Sequence, residues 1–390
     1  MNNQHLIIIP SVPVWTENNH LIFDRKFYDG ILLYQEKWGG KLTCIISISH
    51  YKQPDFGVVT LLPEQLPFTC ITLHPEELIK AEHLQGGDIV LAAGDADKQL
   101  HLSAICKKLS IKCVYIIEYI PETRYQIAAL STNNPIIKLR RLFYIWQQEQ
   151  RRIKAFKLCD GLQSNGTPAY QYYQRVTNKL LYFDTRVFKE QIIDDIALAQ
   201  RLTYLSENKP LRLAFSGRLI RMKGADHLIQ LALKLKQADI AFQFMIYGTG
   251  DLIDEMREFI TVHQLTEQVI LTGSVDFYTV LIPSLQHSID LFICLHRQSD
   301  PSCTYLETLS CGVPIVGYNN RAFSGLLELA DIGWCSELDD IDGICNTIIH
   351  LNTHRNEIIE KAKNSAAFAR LHDFETTFKN RINHLVATTN

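Results

Sequence analysis

Ten short, mostly apolar runs recur along this chain, in two series of five, with longer stretches of helical apolar spacing between them. The first series is Leu6–Pro10, Thr43–Ile48, Asp88–Ala92, Lys112–Ile117 and Gly161–Ser164. The second is Arg212–Phe215, Phe242–Tyr247, Val269–Thr272, Leu291–Leu295 and Val313–Val316. A strand with one wet face alternates polar and apolar; a run that is apolar on both faces must be covered on both. Parallel strands crossed over by helices meet that condition. The pattern therefore predicts α/β architecture: two doubly wound, Rossmann-like parallel-sheet domains facing a central cleft. A chain of 390 residues is also long for a single core. The polar, proline-containing stretch Ser206-Glu-Asn-Lys-Pro210 separates the two series. The expected domains are 1–208 and 209–372, with a last segment, 373–390, whose helix around Phe374–Val386 crosses back onto the first domain.

Composition narrows the function classes. Apolar residues make up 46% and charged residues 21%, ordinary values for a globular protein. A formal net charge of −3 argues against a general nucleic-acid binder. The 10 cysteines include no C-x-x-C pair, and several, such as Cys44, Cys113 and Cys294, lie in apolar runs as small hydrophobes. That usage suits a reducing cytoplasm. Met-Asn-Asn-Gln-His at the start carries no cationic region, and Pro10 and Pro13 break the apolar run behind it, unlike a signal peptide. No apolar run is long enough to span a bilayer. The expected location is cytoplasmic, with peripheral contact at the inner membrane face.

The most chemically loaded segment is Asp300-Pro-Ser-Cys-Thr-Tyr-Leu-Glu307, followed by Thr-Leu-Ser-Cys-Gly312-Val-Pro314. It reads as a loop, a short helix capped by Ser302 or Asp300, and a stop at Gly312 and Pro314. Glu307 lies one turn on from Cys303 and Thr304 and shares their face. Free N–H groups at a helix start with a carboxylate below them suit a phosphate and a hydroxyl-bearing sugar. A capped surface helix with a solvated Glu is the alternative. Earlier, Gly217-Arg218-Leu-Ile-Arg221-Met-Lys223-Gly224 follows a strand and precedes a helix. Glycines let backbone approach a ligand, and Arg218 and Lys223 can bind phosphate; a solvated basic loop is the alternative. Gly248-Thr-Gly250 forms a tight turn after the next strand.

In this order the three segments resemble the retaining nucleotide-sugar glycosyltransferases of the GT-B fold, family 4, also termed glycosyl transferases group 1. Residues 217–224 match the family's donor-phosphate loop, Gly248 and Gly250 its glycine turn, and Ser288–Ile293 with Leu306–Val316 its most specific segment. The likeness is strong over about 210–320 and weaker over the first domain. It implies an enzyme that moves a sugar from a nucleotide-sugar donor to a saccharide acceptor, lipid-linked in many relatives, during surface polysaccharide biosynthesis. It assigns Glu307 to the nucleotide ribose. The family's two acids have seven residues between them, which places Ser299 at the first position. Asp300 beside it takes that role through a one-residue shift, with Ser302, Cys303 and Thr304 supplying N–H groups to the donor.

On this reading Arg218 and Lys223 stabilise the leaving diphosphate, so neither a cofactor nor a metal is required. The Asp-x-Asp patterns at Asp95–Asp97 and Asp340–Asp342 lie outside the donor segments and read as loop residues. In the first domain, Glu118 stands at a strand end where the family has acceptor-side polar groups, and it is the third catalytic candidate; a pair with Arg124 is its other reading. Asn165 could line the same region, and Lys26 could touch an anionic acceptor. From Lys138 to Lys157 seven cations face Glu149 alone, interleaved with Leu139, Leu142, Phe143, Ile145 and Trp146. Such a helix docks on anionic lipid headgroups or packs on the sheet with a solvated basic face. His296 reads as a strand-end residue near the donor loop, and His350 and His354 as a surface pair. Two other readings stand beside transfer: a nucleotide-sugar epimerase or phosphorylase of the same fold, and a non-catalytic sugar-nucleotide-binding subunit.

Overall fold

The computed structural model describes residues 3–54, 57–130, 134–207 and 209–389. Contacts divide the described residues into two compact units. One comprises Met1–Ala128, Thr132–Tyr182 and Glu375–Asn390; the other comprises Phe183–Phe374 with Ala129–Ser131.

The first unit is built on a seven-stranded parallel sheet. Its strands are β1 (Leu6–Ile9), β2 (Leu42–Ser47), β3 (Thr69–Leu73), β4 (Ile89–Ala93), β5 (Lys112–Ile117), β6 (Gly161–Asn165) and β7 (Lys179–Tyr182). Their order is β7-β6-β5-β4-β1-β2-β3. All four residues of β1 and all five of β4 are buried, as their apolar runs require, and so are all five of β6, of which Gln163, Ser164 and Asn165 are polar. An antiparallel ribbon, Trp15–Glu17 with His20–Asp24 and Val58–Leu61, follows β1. Two helices matter below: α1 (Pro121–Leu130) and α2 (Pro135–Phe156). Asn134 starts α2 by accepting from the N–H groups of Ile136 and Ile137, with Pro135 in the first turn, where a missing N–H costs nothing.

The second unit is a six-stranded parallel sheet: β8 (Leu211–Ser216), β9 (Phe242–Tyr247), β10 (Val269–Gly273), β11 (Leu291–Cys294), β12 (Ile315–Tyr318) and β13 (Gly333–Ser336). The order is β10-β9-β8-β11-β12-β13, so the chain reverses its direction of travel between β8 and β11. Loops leaving those two strands flank the switch point, where open α/β sheets bind ligands. Register sharpens this. Leu211 pairs with Phe242 and Ser216 with Tyr247, so β8 and β9 end level and Gly217 and Gly248 emerge side by side. Leu213, Phe215, Leu291 and Ile293 are fully buried in the core beneath; each such side chain contributes on the order of 2 kcal/mol.

The three parallel strands that the apolar runs do not reveal, β3, β7 and β13, all lie at sheet edges. An edge strand is covered less completely, and its sequence carries polar residues, as in Thr-Cys-Ile-Thr-Leu at 69–73.

The boundary differs from the sequence expectation. Residue 208 lies outside the described residues, and the division by contact falls between Tyr182 and Phe183. The reason is helix α3 (Asp195–Ser206), whose Leu198, Leu202 and Leu205 join the second unit's core. Two further helices of this unit are α4 (Ala225–Gln237) and α5 (Thr304–Ser310). The last helix, α6 (Phe374–Thr389), belongs from Glu375 onward to the first unit. There Arg381 Nε donates to Gln163 Oε1 at 2.9 Å, and the Phe378 ring meets Tyr34 edge-on at 5.5 Å.

Candidate functional site

In the second unit the loops after β8 and β9 are zipped together. Gly217 N–H donates to the Tyr247 carbonyl at 3.0 Å and Leu219 N–H to that of Thr249 at 2.9 Å. Gly248 has φ 122°, and a Cβ there would lie 2.0 Å from the Gly217 carbonyl oxygen. At Gly224, φ 72°, a Cβ would lie 2.2 Å from the Leu295 oxygen. At Gly248 and Gly224 backbone thus packs against backbone between strand-end loops, closer than any side chain would allow.

Arg297, which the sequence does not single out, buttresses the same loop. Its N–H donates to Met222 C=O at 3.0 Å, and its guanidinium binds the Arg221 carbonyl and Asp226 Oδ1, the latter at 2.8 Å. Arg221 is spent on Asp226 and Glu255, at 3.5 and 3.3 Å. The two cations proposed for phosphate differ in setting. Arg218 is exposed and pairs with no carboxylate among the described residues. Lys223 is buried, with Nζ 3.3 Å from Asp300 Oδ2.

Asp300 does not cap α5. Cys303 holds the cap position without a side-chain bond, and Ser302 Oγ donates to Thr304 Oγ1 at 3.1 Å. The first-turn N–H groups of α5 therefore gain no side-chain cap from either expected residue. Ser299 is buried, and its Oγ accepts from Arg321 N–H at 3.3 Å, whereas Asp300 reaches Lys223. At the other end of α5, Gly312 adopts φ 62°, and the buried Arg201 donates to the carbonyls of Cys311, at 2.7 Å, and Gly312. Burial drives the Arg201 guanidinium down to about 10. A cation there complements the helix dipole.

Glu307 is buried on α5, and its Oε1 accepts from Arg186 Nε at 2.8 Å. On the segment from β11 to α5 several buried polar atoms have no hydrogen-bond partner among the described residues: both ring nitrogens of His296, Gln298 Oε1, Asp300 Oδ1 and Thr308 Oγ1. Buried polar atoms are normally satisfied, so such a set calls for water or ligand groups. Burial, reinforced by the Lys223 charge, holds His296 well below the usual imidazole range, so its ring is neutral.

The first unit's candidates sit at the carboxyl ends of β4, β5 and β6. Glu118 does not pair with Arg124. It accepts from Asn165 Nδ2 at 3.2 Å, while Arg124 pairs with Asp95 and stands 3.7 Å from Glu149. Asp95 also accepts from the N–H groups of Glu118 and Tyr119, at 2.8 and 3.2 Å. Asp97 accepts from Tyr144 and Arg152. In the second unit Asp340 caps the helix Ile341–Thr353 and Asp342 meets Lys234 at 2.6 Å. Lys26 lies on the first turn of the helix Arg25–Trp38, capped by Asp24, beyond the antiparallel ribbon rather than at the exit of β1.

One basic residue of α2 is internal. Arg152 is 1% exposed and donates to Gly94 C=O at 2.7 Å, Glu149 at 2.8 Å and Asp97 at 3.2 Å. The remaining cations share the helix with exposed apolar side chains: Ile136 (71%), Leu139 (69%), Phe143 (57%) and Trp146 (51%). Among the described residues no helix is long and apolar enough to cross a membrane.

Residues 199–366 match the model of the family described as glycosyl transferases group 1. The chain is 24% identical over 151 residues to alpha-D-kanosaminyltransferase of Streptomyces kanamyceticus, covering 39% of this chain and 38% of that one. It is 21% identical over 188 residues to N-acetyl-alpha-D-glucosaminyl L-malate synthase of Bacillus anthracis, covering 47% of each. The chain thus spans less than half the length of these relatives. Among solved structures, Anabaena HepE in complex with UDP superposes with TM-score 0.66 at 13% identity, over 99% of this chain and 100% of that one. The lipopolysaccharide outer core galactosyltransferase WaaB gives 0.63 at 12% identity, over 98% and 99%. At such identities the likeness is one of fold. The segment 199–366, which carries the switch-point loops just described, is thus similar to the group 1 glycosyltransferases, and the chain has the two Rossmann-like domains of the GT-B fold.

Proposed function

We propose that the chain is a retaining glycosyltransferase that moves a sugar from a nucleotide-sugar donor to a saccharide acceptor during surface polysaccharide assembly at the cytoplasmic membrane face. The observation that carries this reading is at the β8/β11 switch point: the buried Lys223–Asp300 pair, with Asp300 Oδ1 unpartnered among the described residues and the unpartnered His296 ring within reach of the Lys223 charge. A buried ion pair with spare hydrogen-bonding capacity suits a ligand that is anionic at one end and rich in hydroxyls at the other. The solved HepE structure holds UDP, and one of the curated relatives is named as a glucosaminyl L-malate synthase.

In the proposed reaction the bond from the sugar's anomeric carbon to the diphosphate oxygen breaks, and the acceptor oxygen bonds to that carbon on the same face. The acceptor's proton passes to the departing phosphate. Arg218 and Lys223 hold the charge that grows on that phosphate, Asp300 binds sugar hydroxyls, and Glu307 binds the ribose. Glu118 and Asn165 serve the acceptor side. Fixed cations strengthen their interaction as charge develops and so lower the barrier.

Release of nucleoside diphosphate from a panel of nucleotide-sugar donors, with the anomeric configuration of the product read by NMR, tests the reading. Inversion, isomerisation of the donor, or binding without turnover overturns it. Turnover persists in excess chelator; a loss restored by magnesium or manganese would show that the cations do not suffice. Exposed Ile136, Leu139, Phe143 and Trp146 beside Lys138, Arg140 and Arg141 support attachment of α2 to an anionic bilayer surface.

A further inference from the structure

Arg186 is the first cation of the second unit and lies outside the 199–366 segment that matches the family model. It belongs to a stack of supports that ends at Glu307. Asp276 accepts from the N–H groups of Tyr278 and Thr279, at 3.1 and 2.8 Å, and fixes the turn that carries Phe277. The Arg186 guanidinium lies over the Phe277 ring, 3.9 Å from its centroid, and the Arg186 carbonyl accepts from Tyr278 O–H at 3.3 Å. A guanidinium over an aromatic face is attracted by the ring's charge distribution and loses rotational freedom there. Two residues earlier, Asp184 Oδ2 accepts from the Cys303 thiol at 3.7 Å. The strand of chain at 184–186 is thereby fastened to α5 at two points.

The consequence falls on Glu307. A carboxylate can accept about four hydrogen bonds across its two oxygens. Arg186 Nε takes one, on Oε1 at 2.8 Å, and among the described residues Oε2 accepts none. The Glu307 side chain is only 9% exposed. A buried, unpaired carboxylate would be costly and free to turn; a charge-assisted bond to one oxygen removes both problems.

We infer that Arg186 is a positioning residue for Glu307, holding Oε1 so that Oε2 is presented to the ribose hydroxyls of a nucleoside diphosphate. The inference rests on the donor-site reading above. It makes ribose recognition, rather than phosphate binding, the property that depends on Arg186.

Calorimetric binding of UDP, GDP and ADP, each against its 2′,3′-dideoxy form, separates the two readings. The intact protein should bind the best of the three and discriminate against its dideoxy form by about 10- to 100-fold, the worth of hydrogen bonds to a charged acceptor. Arg186→Ala should bring that discrimination down to about threefold or less, with Arg186→Lys between the two, since Lys keeps the charge but not the planar fork. Should the Ala variant not fold, Arg186→Lys carries the same readout against the intact protein. If Arg186→Ala weakens both forms equally, or leaves the discrimination intact, Arg186 does not position Glu307. If the intact protein binds none of the three nucleotides, the donor-site reading itself falls, and this inference with it.

Discussion

The carboxyl edges of the two sheets use polar residues in opposite ways. In the first unit the charges close on one another: Asp95 with Arg124, Arg152 with Glu149 and Asp97, and Tyr173 O–H on Glu149 at 3.1 Å. The carboxylates there are answered inside the fold, while Arg124 Nη1, Gln148 Oε1 and the Ser164 and Thr167 hydroxyls are left without a hydrogen bond among the described residues. In the second unit the Lys223–Asp300 pair leaves Asp300 Oδ1 unanswered, and the His296 ring near Lys223 is unanswered too, among the described residues. A closed network fixes geometry and leaves little capacity for a ligand. An open one is incompletely satisfied until something binds. Sequence motifs rich in charge occur at both edges, and only the pairing tells them apart.

The comparison is broken most severely by Arg152. Removing one partner of a buried pair leaves an uncompensated charge, so Arg152→Ala should lower unfolding free energy by about 3–5 kcal/mol in denaturant titration. An Arg152→Ala protein of native stability would mean that the first unit's network is not closed. Next come Lys223→Ala and Glu307→Ala. Each should reduce turnover about 100- to 1,000-fold; because Lys223→Ala also leaves the buried Asp300 unpaired, its thermal transition falls as well, and turnover is read on protein shown to be folded at the assay temperature. Wild-type turnover in both variants would show that the open network is not the donor site.

A smaller effect concerns His296. Its folded-state pKa lies far below the ordinary 6.5, so below that pH the unfolded chain takes up a proton that the folded one refuses. Stability is therefore full above about pH 6.5 and falls as pH drops, by up to about 1.4 kcal/mol per pH unit for one proton. His296→Gln should flatten that slope, measured by denaturation at several pH values; an unchanged slope would assign the acid sensitivity to other histidines. Smallest is the surface of α2. Replacing Arg140 and Arg141 by Ser should weaken sedimentation with phosphatidylglycerol vesicles by about 1 kcal/mol per charge. Leu139→Asp should weaken it in neutral and anionic vesicles alike. Arg152 has no place in such a test, since its loss would disturb the fold. Sedimentation unaffected by all three changes would return α2 to a solvated helix.

The placement of Gly217, Arg218, Lys223, Gly248 and Glu307 was legible because it is local: the apolar runs put their loops at strand ends and Gly312 marks the end of α5, although neither expected residue caps its start. The supports were not legible. Arg201, Arg186 and Arg297 act on carbonyls or carboxylates 111, 121 and 71 positions away. Each is a single cation in an unremarkable stretch, and no periodicity announces a partner so distant. Arg152 shows the converse: it sits in an evident basic run, yet Glu149 one turn back and Asp97 across the fold draw it inward. Charge counting along a helix sees the sign of a residue but not its direction.

The position of Arg186 and Arg201 bears on how this protein can be cut and recombined. An exchange of C-terminal segments between relatives made at the polar stretch 206–210 would take β8 onward from one parent and leave both arginines with the other. The guest α5 would then lose the native partners of its carboxylate and of its last carbonyls at once. A junction between Tyr182 and Phe183, matched by one between Phe374 and Glu375, moves the whole second unit with its supports. Chimeras joined there should keep the donor preference of the parent that supplied residues 183–374, whereas those joined at 206–210 should depend on whether the two parents happen to carry the same arginines.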